Sequence, residues 1–258
     1  MANLTDIARF CDDLLGVHGF PDDARALNGV QVDTTAEITR IAAAVDARER
    51  TIASAVRGGA QLLIAHHGLF WSGLRPLRGA QMRRFDELLR AGLGVYSAHL
   101  PLDAHPEIGN GALLAAELGL RPVGGFGRHL GVEVGVRGRC DPIETKGLLD
   151  RAHAFAERYG GSAKASPIGE ARTTSSWAIV TGAGAGSDTL AEAEERGVDT
   201  LIVGEGPHHT AITADEAGIV VIYAGHYATE TLGVQALAAR VAQTFDLQWE
   251  FVHEPTGL

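Results

Sequence analysis

Short apolar, β-branched runs alternate along the chain with longer amphipathic stretches. The runs at 38–45, 61–65, 95–97, 132–136, 176–181, 200–203, 219–224 and 247–252 predict strands. Helical periodicity marks 5–15, 47–57, 83–91, 110–118, 143–159, 187–196, 209–217 and 229–245. Thr5 and Ser187 occupy expected N-cap positions, each followed by an aspartate that suits a helix N-terminus. Strand alternating with helix at this spacing predicts an α/β fold.

The pattern also repeats. The stretch 59–68, GAQLLIAHHG, aligns with 197–206, GVDTLIVGEG, at an offset of 138 residues. The stretch 91–99 aligns with 218–226 at an offset of 127, matching Tyr96 to Tyr223 and His99 to His226. The smaller second offset places a deletion in the connection at 70–83. Two similar α/β half-domains are therefore expected, with strand-end loops meeting in a metal-binding cleft between them. The expected halves are 1–125, with His66, His67, His99 and Asp103, and 126–258, with His226 and Glu230. The Gly-, Arg- and Pro-rich stretch 121–172 has no repeat partner and reads as a connector.

Histidine is unevenly placed. Seven of the eleven fall in three short stretches, each directly after a predicted strand: His66 and His67; His99 and His105, with Asp103 between them; and His208, His209 and His226, with Glu230. Imidazole with carboxylate is the ligand set accepted by Zn, Fe, Mn, Co and Ni. Cysteine is absent from these stretches, which argues against a closed structural zinc site. Neighbours in a strand face opposite ways, so His66 and His67 are expected on a turn, where two metals take one each. With a helix starting near Ala228, His226 precedes it and Glu230 lies in its first turn.

Two other features bear on ligands. The loop 182–186, GAGAG, opens a predicted helix and reads equally as an anion site or a tight turn, without a P-loop pattern. Phe70 and Trp71 suit either base stacking or the core. Arg75, Arg78, Arg83 and Arg84 read as a solvated loop.

At these residues the chain resembles the Nif-three-like (NGG-one-interacting factor three) family, in its short bacterial form; the family is also known as type-2 GTP cyclohydrolase I homologues. Leu27-Asn28-Gly29-Val30-Gln31-Val32, His66-His67-Gly68 with Phe70-Trp71, and His99-Leu100-Pro101-Leu102-Asp103 carry the resemblance. So do Gly204-Glu205 with His209, and Gly225-His226-Tyr227-Ala228-Thr229-Glu230. The resemblance implies two divalent ions per chain on His66, His67, Asp103, His226 and Glu230, with Glu230 bridging. It places His99 beside them as a ligand or a supporting partner. It also implies a homohexamer built as a trimer of dimers. Glu205 stands where many members carry aspartate, and Pro207-His208 departs from the usual pair, which leaves His208 without an implied role.

The expected activity is that of a dinuclear metal-dependent hydrolase acting on a nucleotide or phosphorylated compound, GTP-cyclohydrolase-like by resemblance. Glu205 and His209 are the candidates for proton transfer. The alternative is a non-catalytic, metal-carrying hexamer.

Composition fits this picture. The 258 residues are 45% hydrophobic and 21% charged, enough apolar surface to bury a core or two. Lys and Arg number 22 against 32 Asp and Glu, a net charge of −10 that argues against non-specific nucleic-acid binding. No apolar run approaches the ~18 residues of a membrane helix. The N-terminus lacks a basic cluster followed by an apolar stretch, so no signal peptide is expected. Two cysteines make no disulfide framework, and a cytoplasmic location is expected.

Overall fold

The structure, a computed structural model, describes residues 2–73, 75–167 and 172–258. In chain order its first elements are α1 (Leu4–Leu15), β1 (Gly29–Val32), β2 (Arg40–Asp46), α2 (Glu49–Arg57), β3 (Leu62–His67), α3 (Gly79–Ala91) and β4 (Gly94–Ser97). There follow α4 (Leu100–Asp103), α5 (Asn110–Glu117), β5 (Pro122–His129), β6 (Val132–Glu144), α6 (Thr145–Arg158), β7 (Lys164–Ala165) and β8 (Thr173–Val180). The last are α7 (Ser187–Glu195), β9 (Thr200–Val203), α8 (His208–Glu216), β10 (Val220–Tyr223), α9 (His226–Thr229), α10 (Thr231–Phe245) and β11 (Gln248–Phe251). No helix among the described residues is long and apolar enough to cross a membrane.

The chain forms two compact units. One comprises Met1–Leu102 with Gly233–Glu254, the other Asp103–Leu232 with Pro255–Leu258.

The first unit is built on a five-stranded sheet in the order β1-β4-β3-β2-β11. β11, β2, β3 and β4 run parallel, and β1 closes one edge antiparallel to β4. Parallel strands covered by helices read as nearly continuous apolar runs, as RIAAAVD and LLIAHH do. The alanines of β2 let helices lie close: Ala42, Ala44, Leu63 and Val95 pack with Ile52 and Ala55 of α2 and Leu88 of α3. Phe10 of α1 meets Phe245 of α10 edge to face at 5.7 Å.

The second unit holds a six-stranded sheet in the order β5-β6-β8-β9-β10-β7. β8, β9 and β10 run parallel, while β5, β6 and β7 join antiparallel. Trp177, Ile179, Ile202 and Ile222 bury one face under Leu114 of α5, Leu118 at its C-cap, and Leu148 and Phe155 of α6.

The repeat is visible in the topology. β2-α2-β3-α3-β4 and β8-α7-β9-α8-β10 each give three adjacent parallel strands in the same order. The deletion falls between the second strand and the following helix, where 68–78 in the first unit reduces to 204–207 in the second. An α/β architecture of two similar halves is thus present.

Local details depart from the sequence reading. Asn3, not Thr5, caps α1: its Oδ1 accepts from Asp6 N at 2.9 Å. Ser187 is the first residue of α7 rather than its cap, and Gly186 precedes it without a side-chain cap bond. The stretch 121–172 supplies β5, β6 and β7, three strands of the second sheet, as well as α6. Its glycines are needed there, because a Cβ at Gly135 would collide with the Ile179 carbonyl and one at Gly138 with Trp177. Residues 168–171 of that stretch lie outside the described residues.

Candidate metal centre

In both units the chemistry-bearing residues collect at the carboxyl ends of the parallel strands, where open α/β sheets bind ligands. In the first unit, His66 and His67 are the last two residues of β3. Pairing of β3 with β4 stops at Ala65 opposite Ser97, while pairing with β2 continues to Asp46 opposite His67. The expectation of a turn is therefore corrected. The pair lies in a strand terminus paired on one side only, and its two rings still come within 4.9 Å of each other, centroid to centroid. His99 follows β4, and its ring lies 5.0 Å from His66 and 5.6 Å from His67.

All three imidazoles are held the same way. His66 Nδ1–H donates to the Ala98 carbonyl at 2.9 Å. His67 Nδ1–H donates to Asp46 at 3.0 Å. His99 Nδ1–H donates to Asp22, 2.9 and 3.1 Å from its two carboxylate oxygens. In a neutral ring this places the lone pair on Nε2, the tautomer a metal ligand requires. One ligand atom from each ring lies within 4.8 Å of the other two. Trp71 stands edge-on to His99 at 4.7 Å and to His67 at 5.4 Å. Phe70 instead packs on Phe85 beside the core.

The segment 27–32 shapes this corner. Leu27 (φ 44°) and Gly29 (φ 103°) both adopt left-handed backbone. Asn28 Oδ1 accepts from His99 N at 2.7 Å, and Asn28 Nδ2 donates to Asp22. Gln31 Oε1 accepts from Leu69 N, and its amide lies so close to Gly68 that a Cβ there would overlap it. Burial opposes ionisation of Asp22, but the hydrogen bonds from His99 and Asn28 hold its carboxyl below the usual range.

In the second unit, Asp103 is buried, and its Oδ1 accepts from Asn110 Nδ2 at 2.8 Å and Thr181 Oγ1 at 3.3 Å. The next residue, Gly182 (φ 61°), lies against Glu230: a Cβ there would overlap Glu230 Oε1 and sit 3.4 Å from His226 Nε2. Glu230 is 3% exposed and lies 3.2 Å from His226 Nε2. His226 Nδ1 bonds Glu205 at 2.7 Å. Asp103, His226 and Glu230 thus converge on the end of β8. Burial disfavours the His226 imidazolium, but Glu230 and Glu205 outweigh it and raise the pKa to about 9. Thr229 ties this corner together, its Oγ1 accepting from Gly182 N and donating to the His226 carbonyl.

The donors are nitrogen and carboxylate oxygen, at strand ends, with tautomers fixed and one buried carboxylate cradled by a glycine. A borderline divalent ion fits that chemistry. Residues 2–256 match the model of Duf34/NIF3, the NGG1p interacting factor 3 family.

The chain belongs to the DUF34/NIF3 family.

A Halobacterium salinarum relative named "GTP cyclohydrolase 1 type 2 homolog" is 42% identical, over 99% of this chain and 100% of its own. A Deinococcus radiodurans relative of the same name is 39% identical, over 98% and 94% respectively. The solved structure of TTHA1606 from Thermus thermophilus is 35% identical, with a TM-score of 0.86 over 100% of both chains.

Among the other candidate residues of this NIF3-family chain, Glu205 is part-exposed, bonded to His226 and anchored through its own N to the Gly182 carbonyl at 2.8 Å. His209 is exposed in the first turn of α8 beside exposed His208. His105 folds back on its own turn, its Nδ1 accepting from the backbone of Glu107 and Ile108. Glu230 does not lie in a first helical turn as expected. His226 opens the one-turn α9, and Glu230 is the residue between α9 and α10. In the loop 182–186, the amides of Gly182, Ala185 and Gly186 donate to Thr229, Glu205 and Gly184, which favours the turn over the anion site. Arg83 pairs with Glu49, and Arg84 donates to the Ala47 and Leu69 carbonyls.

Sequence reasoning missed Asp22, Asp46, Asn110 and Thr181. Asp46 carried a signal: it ends the strand preceding the His66-His67 strand, so it arrives at the same sheet edge.

Proposed function

We propose that the protein is a metal-dependent hydrolase acting on a nucleotide or related phosphorylated compound. His66, His67, His99, Asp103, His226 and Glu230 would hold two divalent ions from Zn, Fe, Mn, Co and Ni, with Glu230 shared between them. The observation that carries this reading is the matched preparation of the donors. Each of the four imidazoles has its Nδ1 engaged by an oxygen, and Asp103 and Glu230 are both buried at one strand end.

When bound, such ions polarise a phosphoryl or carbonyl oxygen and lower the pKa of a water toward neutrality. The residues of the chain do the rest. Asp46, Asp22 and Glu205 fix their imidazoles in place. Trp71 packs against two of those rings and limits water beside them. Glu205, part-exposed on His226, is the better placed proton carrier, and His209 on α8 is the second. We further infer a cytoplasmic homohexamer, a trimer of dimers.

The test pairs elemental analysis with a hydrolysis screen. The purified chain is dialysed against a mild chelator, analysed for metal, and incubated with nucleotides, GTP among them because of the names its relatives carry. Two retained divalent ions per chain with phosphate release or base opening support the hydrolase. Complete loss of metal with no turnover favours a carrier. Glu230→Ala should fold and hold neither ion; a folded variant with two ions per chain refutes the shared role. Light scattering reads the assembly.

A further inference from the structure

The loop 20–28 is organised around one imidazole. Asp22 is 5% exposed at its side chain, unusual for an aspartate on a connecting loop. Four donors converge on its carboxylate: His99 Nδ1 at 2.9 Å, Asn28 Nδ2 at 2.8 Å, Leu100 N at 3.1 Å and Asp23 N at 2.7 Å. Asn28 closes the circuit by accepting from the backbone N of His99 at 2.7 Å. Two of the donors belong to His99 and its successor, and a third comes from a side chain that also holds His99. The loop thus grips His99 from the ring and from the main chain. The acceptor of the His67 Nδ1–H, Asp46 at 3.0 Å, is by comparison more exposed.

We propose that Asp22 is a positioning residue that makes His99 a metal ligand through Nε2. This rests on the metal-binding reading above. By accepting from Nδ1–H, the carboxylate fixes the tautomer and the plane of the ring and increases the donor strength of Nε2, and loss of such a partner lowers metal affinity about 10- to 100-fold. A purely structural role, capping the turn at Leu100 or pinning the loop, would move thermal stability and leave affinity and tautomer as they are.

The experiment uses the whole chain, stripped of metal and labelled with ring-15N histidine, with His99→Gln supplying the assignment. In the wild type His99 should show the Nδ1–H tautomer; an Nε2–H form overturns the proposal without any variant. In Asp22→Asn the His99 ring signals should shift away from that form, whereas Asp46→Asn should leave them in place. Zn²⁺ affinity, measured against a chromophoric chelator, should fall 10- to 100-fold in folded Asp22→Asn. Wild-type affinity in that variant, or a lowered melting temperature alone, overturns the proposal. Absence of Zn²⁺ binding by the wild type instead overturns the metal reading, and the tautomer readout still decides whether Asp22 sets His99.

Discussion

Gly182→Ala gives a sharp test of how the carboxylate in the second unit is held. Gly182 sits at φ 61°, and a Cβ there would overlap Glu230 Oε1. A non-glycine residue in this left-handed region costs about 1–2 kcal/mol. Glu230 is buried and lies 3.2 Å from His226 Nε2, so it cannot swing into water without losing a charge-assisted bond worth about 1.5–3 kcal/mol. The expected loss is about 2.5–5 kcal/mol in all, or roughly 5–20 °C in melting temperature at about 2–4 °C per kcal/mol for a chain of this size. Gly197→Ala separates the two contributions. Its φ is 64° and nothing lies within 4 Å of the added Cβ, so it should cost only about 1–2 kcal/mol. Urea unfolding of both variants, with elemental analysis of each, makes the comparison. Gly182→Ala should be the less stable and should lose metal, whereas Gly197→Ala should keep it. Equal destabilisation of the two, with wild-type metal content in both, would refute the claim that Gly182 makes room for a ligand.

Three further outcomes are expected. In metal-stripped protein, the raised His226 pKa contributes stability that is complete below about pH 6.5 and disappears as pH rises through about 9. It is worth of order 3 kcal/mol, so melting temperature should fall across that window in the wild type and stay flatter in His226→Gln; superimposable profiles would count against it. Burial, with Asp12 adding to it, pushes the Cys11 thiol far above its ordinary range, so a thiol reagent at pH 8 should modify Cys140 before Cys11, and Cys11 only on unfolding; mass spectrometry of the labelled chain reads the order. Gly135→Ala drives a methyl into the Ile179 carbonyl where β6 and β8 pair, and should destabilise by more than about 3 kcal/mol; an unfolding midpoint within error of the wild type would show that the strands can separate there.

The sequence made the parallel strands and their helices legible because βαβ units carry their signal locally, in apolar runs punctuated by glycine. It also gave the histidine clusters and their acidic companions. It missed β5 and the second half of β6, since a run such as PVGGFGRH has no apolar alternation, and its glycines answer to Val180, Glu133 and Arg137 across the sheet. β1 was hidden inside a turn motif whose polar residues reach His99 and Leu69. Asp22 was invisible for the same reason: its contact with His99 spans 77 residues, and nothing in Phe20-Pro21-Asp22-Asp23 announces it. Helix starts differed by up to two residues, and by four at α3; at α1, Asn3 competes with Thr5 for the same cap and only the backbone decides.

The order in which the chain visits its two units matters for how it is made. It departs the first sheet at Leu102, builds nearly all of the second unit without interruption to Leu232, and only then returns to lay β11 along β2. During synthesis the nested unit is therefore largely emerged while the earlier sheet still waits for its last strand. Until residues 248–251 leave the ribosome, the outer edge of β2 is an open template for parallel pairing, the kind of transient exposure that draws chaperones or misassembly. The stretch 233–254 acts as a latch on the unit whose other strands all precede it in the chain.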